Sequence, residues 1–566
     1  MKALFSSHKI HLLVTFVLLF SLLFAACAPV PQSGASGGQA AATGPLVNSI
    51  GITLPDDAAP LDQQIFHAYT IEGKHFDVSR NLYESNGMEG ASWEPLVWLD
   101  ADFNALPGGA DSWETSADGL TWTFHLRKTA KWSDGTPLTA EDWVYSLRRM
   151  LSPELANPYA WFYASIKNAE KVQAGEVPVD QLGVSKSDDY TLQIMTETPI
   201  PYFLQVIGFL PTIAPKHVIE KVGDTWADDP STLVTNGPFI VKAWNKGKDI
   251  VYVPNPNYDG PAKPKVEQVI ATILPQGDTP LLPIFQAGEI DYVYGLRSAE
   301  LQQALNDANL KENLVTYPSF TTFYMHFDVL HPPFNDLKVR QAFSHAIDRD
   351  AISKSVMQGL EIPAYTMMPS GFPCNQADNP DIRAIQAYDP AKAKALLAEA
   401  GYPDGTGFPA LELWTRQGQI VVESEAIQRM LKDNLGIDVT PKDQERSFYM
   451  DKLRAYEIPL GLIQWAQDYS DPTNFLDWWA TGSRHSWKNE KFNELIDAAR
   501  GELDIEKRCK MYNEAEKILI EDVGGVFIGY PVEGTLWSSR LGGLRITKSG
   551  ERRDSSLTWS DVYIKK

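Results

Sequence analysis

Only one stretch of this chain is continuously apolar, and it is short. Leu12–Phe24 is broken only by Thr15 and Ser21, whereas a helix that crosses a bilayer needs about 20 apolar residues. No later segment is long and apolar enough to span a membrane. Everything downstream must therefore hide its apolar side chains through the short period-two and period-3.6 patterns of strands and helices. The material for a large core is present, because 44% of the residues are apolar and 22% charged, a balance that excludes wholesale disorder. At roughly 150 residues per domain, a chain of 566 residues makes about three or four domains or large subdomains.

The apolar run sits where a secretory signal belongs. Lys2 and Lys9 precede it and Ala25 and Ala26 follow it, just before Cys27. Leu23-Phe24-Ala25-Ala26-Cys27 looks like a bacterial lipobox, with Phe24 where that pattern prefers Leu. Small residues there admit a peptidase, and the thiol of Cys27 takes the lipid and becomes the new N-terminus. Ordinary secretion with cleavage nearby, or an uncleaved anchor, is the alternative. On this reading residues 1–26 are a lipoprotein signal peptide, and residues 27–46, rich in Gly, Ala, Ser and Pro, are a flexible tether. Removal of Lys2 and Lys9 with the signal moves the net charge from −22 to −24. Binding to duplex nucleic acid needs clustered positive charge, so no nucleic acid is expected as a partner. Three cysteines in the whole chain exclude a disulfide scaffold and a Cys-rich zinc domain. Cys374 and Cys509 can pair in an oxidising compartment, but their separation in sequence does not say whether they meet.

Beyond the tether the patterns mix. Leu120, Trp122, Phe124 and Leu126 alternate with polar residues and predict a half-buried strand. Thr139 and Asp142 predict a capped helix whose apolar side is Trp143, Val144, Leu147 and Leu151. Residues 250–253 and 266–273 read as strands, with a turn at Asn255-Pro-Asn257. Asp336 predicts a helix with the stripe Val339, Ala342, Phe343, Ala346 and Ile347. Asp389-Pro390 opens another that Gly401 closes, and residues 488–500 and 504–521 read as a helical pair. No repeat of 20–50 residues is apparent. The sum is an α/β protein of two lobes.

The chemistry-bearing motifs are few. The chain has no GxSxG elbow, P-loop, HExxH or CxxC, and its histidines lack metal-ligand spacing. A hydrolase built on two distant carboxylates remains formally open, because paired acids need no local motif. The segment Gln464-Trp-Ala-Gln-Asp-Tyr-Ser-Asp-Pro472 stands out, with Trp478 and Trp479 downstream. Asp468 either accepts a ligand's ammonium beside an aromatic wall or pairs with a nearby arginine. Asp471 is expected to cap a helix through Asn474 and Phe475. The tryptophans either line that wall or pack in a core.

Strings spread along the chain carry a resemblance to one family. They include Asp111-Ser-Trp-Glu114, Asp118-Gly-Leu-Thr-Trp-Thr-Phe-His-Leu-Arg127, Lys131-Trp-Ser-Asp-Gly-Thr-Pro137 and Thr139-Ala-Glu-Asp142. Asn236-Gly-Pro-Phe239, Asn255-Pro-Asn-Tyr258, Ala287-Gly-Glu-Ile-Asp291 and Val339-Arg-Gln-Ala342 follow. Ala346-Ile-Asp-Arg349, Tyr388-Asp-Pro390 and Leu396-Leu-Ala-Glu-Ala-Gly401 complete them. Together they resemble the extracytoplasmic solute-binding proteins of peptide/nickel-type ABC transporters, the oligopeptide- and dipeptide-binding proteins of solute-binding family 5.

That resemblance implies a two-lobed, periplasmic-binding-protein-like fold (type II, large cluster) with an extra subdomain in lobe one. Lobe one is expected at residues 47–94, 231–312 and 526–566, the inserted subdomain at 95–230 and lobe two at 313–525. It further implies a binding protein rather than an enzyme, with no cofactor and no metal. The ligand, an oligopeptide, would be delivered to an ABC permease with its ATPase subunits from a lipid anchor on the extracytoplasmic side of the cell membrane. Asp468 matches the residue that binds the peptide's α-ammonium, and Trp465 matches a pocket-lining Trp three residues before it. Asn236 and Tyr530 fall near lobe-one residues that approach the ligand backbone, and Cys27 matches the lipidated cysteine. An oligosaccharide or a metal chelate on the same fold, and a secreted hydrolase, are the competing readings.

Overall fold

Among the described residues alternating sequence builds three large sheets, beside two of two strands each, and the large ones set the architecture. The computed structural model describes residues 44–81, 84–86, 89–100, 103–209, 212–275, 279–296, 298–416, 421–543 and 559–566. Cys27, the signal and most of the tether lie outside the described residues. No described helix is long and apolar enough to cross a membrane.

The first sheet has four strands in the order Ile65–Ile71, Gln268–Leu274, Asp249–Pro254 and Phe239–Asn245. Its first pair is parallel and the others antiparallel. The turn that leaves Asp249–Pro254 is held by buried Asn255, which accepts from the Asn257 amide at 3.0 Å and donates to the Gly237 carbonyl at 2.9 Å. A second, antiparallel sheet runs Ala110–Thr115, Thr121–Leu126, Thr191–Met195, Val184–Asp188. Trp122, Phe124 and Leu126 point inward as the alternation predicts. The helix Ala140–Met150 starts at Thr139, whose amide donates to Asp142 at 2.9 Å, and buries Trp143, Val144 and Leu147. These two sheets share one apolar core. The C-terminal residues Val562 and Ile564 join it, and the Ile564 amide donates to the Gln64 side chain at 2.8 Å.

The third sheet has eight strands and belongs to the second half of the chain. Its main order is Tyr292–Leu296, Gly525–Trp537, Thr321–Phe327, Leu460–Ala466, Leu411–Arg416, Val439–Gln444, with Leu314–Pro318 and Glu361–Pro363 also paired to Gly525–Trp537. The first part of that long strand, up to Gly529, pairs with Thr321–Phe327, while Val532–Trp537 pairs with Leu314–Pro318 and Tyr292–Leu296. The strand thus changes partners near Tyr530. A strand of 13 residues is about 43 Å long at its usual rise, enough to serve both halves without a break.

Helices cover this sheet where their caps predict. Asp336 accepts from the Lys338 amide at 2.8 Å and starts Leu337–Ala346, whose stripe is fully buried. Asp389 accepts from the Lys392 amide at 2.9 Å and starts Pro390–Glu399. Asn489 and Asp504 cap Glu490–Arg500 and Ile505–Glu521. Cys374 and Cys509 form a disulfide that fastens the segment around Phe372 to Ile505–Glu521. The bond closes a sequence separation of 135 residues, which is why spacing alone left it open.

Candidate functional site

The strand Leu460–Ala466 lies inside the third sheet, with Trp465 opposite Thr322 and Ala466 opposite Thr321. Where it ends, the Gln467 amide donates to the Phe320 carbonyl at 3.0 Å and turns the chain into the loop that carries Asp468. One side-chain oxygen organises this loop. Asn474 Oδ1 accepts from the Asp468 backbone N–H at 2.9 Å and from the Trp465 indole N–H at 3.2 Å. Asn474 is 3% exposed, so the strand end and the loop are fixed to each other through a buried acceptor. Asp468 and Trp465 are both half-buried on the resulting wall. Gln467 between them is 8% exposed, and both ends of its side-chain amide lack a partner. A buried polar pair left open in this way marks a place where a bound molecule or water completes the hydrogen bonding.

Asp471 behaves otherwise. Its Oδ1 accepts from the Thr473 amide at 3.0 Å and the Thr473 hydroxyl at 2.7 Å. Both carboxylate oxygens meet Arg508, one of them at 2.8 Å from Nη2. Arg508 also donates to the Ala499 carbonyl at 3.0 Å and the Tyr512 hydroxyl at 3.2 Å. Burial disfavours its charge, yet the hydrogen bond and the charge of Asp471 more than offset this and raise its pKa. The helix Thr473–Leu476 starts after Pro472 without a side-chain cap, so the carboxylate of Asp471 does not cap it through Asn474 and Phe475. The Asn474 amide reaches the Asp471 carbonyl oxygen at 2.9 Å and the Phe475 amide that of Pro472 at 3.1 Å.

Tyr469 connects the loop to the first half of the molecule. Its ring stacks on Tyr202 at 5.1 Å with an interplanar angle of 2°, and Phe162 meets it edge-on at 5.9 Å. Tyr202 and Phe162 belong to the core of the first two sheets. Arg508 lies over the same Tyr202 ring at 5.4 Å. Burial raises the pKa of both phenols, so both remain neutral at physiological pH. Phe103 against Phe320 at 6.5 Å is a second aromatic contact between the halves.

Trp465 and Trp478 have ring centroids 4.7 Å apart. The Arg484 guanidinium sits 4.4 Å from the first ring and 4.3 Å from the second. Trp479, by contrast, is fully buried against Tyr324 and His485, as a core residue. Behind the wall lie His326 and His485, bonded to Tyr449 and Tyr324 at 2.8 and 3.1 Å. Burial pushes both imidazoles down, His326 to about 3, so they are neutral core residues.

Asn236 and Tyr530 occupy buried positions of their own. Asn236 accepts from the Glu94 amide at 3.0 Å and donates to the Glu94 carbonyl at 2.9 Å. Tyr530 donates to the Thr366 carbonyl at 3.0 Å and packs in one core with Met367 and Met368. Asn474, Gln467, Arg484 and Arg508 are the residues of this region that spacing did not single out as a site. Two of them carried a signal, Gln467 as a member of the segment 464–472 and Asn474 as a member of the expected helix start. Among the described residues no group of three His, Cys, Asp or Glu side chains is placed to hold a metal ion.

Residues 104–487 match the family described as "Bacterial extracellular solute-binding proteins, family 5 Middle". The chain belongs to this family. It is 33% identical over 490 residues to the periplasmic oligopeptide-binding protein OppA of Salmonella typhimurium, covering 85% of this chain and 87% of that one. It is also 33% identical over 438 residues to the probable deoxycholate-binding periplasmic protein YgiS of Escherichia coli, covering 75% of this chain and 80% of the other. Among solved structures, the unliganded open form of the periplasmic murein tripeptide-binding protein MppA superposes with a TM-score of 0.74 at 27% identity, over 90% of this chain and 99% of that one. This family-5 protein therefore has the two-lobed α/β fold, and it is an extracytoplasmic solute-binding protein of the kind that serves ABC importers.

Proposed function

We propose that this protein captures oligopeptides between its lobes and releases them unaltered to an ABC permease powered by separate ATPase subunits. The supporting observation is the wall on which Asn474 holds Trp465 and Asp468 beside the unpartnered amide of Gln467. A peptide offers the complement, with an α-ammonium for Asp468 and backbone N–H and C=O groups for the two ends of the Gln467 amide. The names of the relatives, oligopeptide-binding among them, favour the same ligand class. On this reading Asn236 and Tyr530 act on the ligand only through the backbone segments of Glu94 and Thr366 that they hold. Lobe one comprises residues 47–94 and 231–312 with the C-terminal tail, 95–230 form its inserted subdomain, and lobe two begins at 313. Lipid on Cys27 and the tether keep the protein beside its permease.

The coupling follows from differential affinity. A ligand that touches both lobes stabilises the arrangement in which they meet, and a permease that reads that arrangement receives only loaded protein. A sugar ligand is the weaker reading, because Arg484 already covers ring faces of Trp465 and Trp478 on which a sugar would stack.

Asp468→Ala tests the assignment. Removing one partner of a desolvated charge pair costs about 2–5 kcal/mol, a loss of roughly 30-fold or more in peptide affinity. Calorimetry on the mature protein with a tripeptide checks it, and an unchanged affinity would remove Asp468 from the site. A thermal-shift panel of peptides against cello-oligosaccharides separates the ligand classes.

A further inference from the structure

We propose that Arg484 makes the wall beside Asp468 selective for a carboxylate, so that the preferred peptides carry one close to their α-ammonium. Its source is either an acidic side chain on an early residue or, in a very short peptide, the terminal carboxylate. The inference rests on the peptide reading above and adds the charge class of the ligand.

Arg484 differs from its neighbours in what surrounds its guanidinium. Two other described arginines close to this loop have a fixed carboxylate acceptor: Arg508 forks onto Asp471, and Arg500 lies 3.2 Å from Asp477. Arg484 is half-buried, yet no carboxylate lies within ion-pair distance of it among the described residues. Its described neighbours are the rings of Trp465 and Trp478, at 4.4 and 4.3 Å, and the phenol of Tyr324, which its charge acts on and to which it is hydrogen-bonded. Indole faces hold a guanidinium through its own faces, and with one hydrogen bond going to Tyr324 the remaining N–H donors are left for an acceptor lying in its plane. A cation clamped in this way has already lost its rotamer freedom, so an arriving oxyanion is not charged with ordering it.

The surroundings add to the preference. Arg416 and Arg446 act on each other electrostatically, and Arg484 acts on Arg416 as well. The histidines behind the wall are neutral, so they do not compete for the anion. Finally, Trp465 is the ring under Arg484 and shares its Asn474 acceptor with the Asp468 backbone. The anion-seeking and ammonium-seeking groups therefore stand on one rigid wall, which suits a zwitterion with closely spaced charges. The net charge of −22 on the whole chain would by itself suggest the opposite ligand preference, so the local arrangement is what the test addresses.

Two peptide pairs distinguish the sources. Ala-Glu-Ala-amide against Ala-Gln-Ala-amide reads the side-chain carboxylate, and Ala-Ala against Ala-Ala-amide reads the terminal one. Calorimetry on the mature wild-type protein should show a preference of about tenfold or more for the carboxylate member of at least one pair, the worth of a charge-assisted hydrogen bond. In Arg484→Gln that preference should collapse to within about twofold of unity, while Arg484→Lys, a point charge without the fork, should keep part of it. Equal affinities within both wild-type pairs, or a preference that survives in R484Q, overturn the proposal. The wild-type pairs decide the matter even if R484Q fails to fold. Failure of all four peptides to bind, with no effect of Asp468→Ala on any ligand, would instead overturn the peptide reading on which the proposal rests.

Discussion

Arg508 and Arg484 flank the same loop and both lie against aromatic rings, but they are completed differently. Arg508 is 2% exposed, with Tyr202 and Tyr512 beside it, and its donors are taken by Asp471, Ala499 and Tyr512. Arg484 has Trp465 and Trp478 beside it and no described carboxylate. A buried charge whose partners all come from its own chain holds the fold. A half-buried charge that is oriented yet left without a counter-ion is prepared for something else.

The two arginines should differ most in what their removal does to stability. Arg508→Met leaves the Asp471 carboxylate buried without its counter-charge, and should destabilise the protein by about 3–5 kcal/mol in denaturant unfolding. Arg484→Met should change stability by less than about 1 kcal/mol, since it strands no buried acid. If the two variants melt alike, the distinction between a closed and an open arginine is wrong. Next in size, Cys374→Ser removes the disulfide at Cys509, the neighbour of Arg508, and should cost about 2–4 kcal/mol, with the same loss in wild-type protein under reducing conditions.

Glu361 sharpens the contrast from the acidic side. It is 2% exposed, lies over Gly529, and neither carboxylate oxygen has a partner. Burial, helped by the charge of Glu423, lifts its pKa to about 8. The folded state thus keeps a proton that the unfolded chain releases above its ordinary pKa near 4.5. Stability from this residue is full below that value and falls as pH rises towards 8. Glu361→Gln should therefore raise stability by about 1–3 kcal/mol at pH 7.5 and leave it nearly unchanged at pH 4, read by unfolding at both values. The smallest effect concerns the contact between the halves. Tyr202→Ala removes the stack on Tyr469 and should weaken peptide binding roughly two- to tenfold with little change in the unfolding midpoint of the second half.

Much of the fold was legible locally. The strand at 121–126, the cap of Asp142 on Thr139 and the helix starts at Asp336, Asp389 and Asp504 all follow from side chains within a few residues of one another. The loop around Asp468 was legible as a candidate because a carboxylate between aromatics is unusual chemistry. The role of Asp471 was not, because the arginine that pairs with it is 37 positions further along the chain. Asn236 and Tyr530 look like polar groups suited to a ligand, and the structure gives their side chains to the backbones of Glu94 and Thr366.

The sequence alone therefore determined an exported α/β chain, its capped elements and a short acidic, aromatic segment worth attention. Those properties depend on hydrophobic period and on hydrogen bonds between near neighbours, which a linear string displays. Tertiary structure decided which cysteines join, where Gly525–Trp537 passes from one half to the other, and which charges near Asp468 are closed by a partner. These outcomes depend on groups brought together from distant positions, and Coulomb and hydrogen-bond energies follow distance in space, for which separation along the chain is no guide.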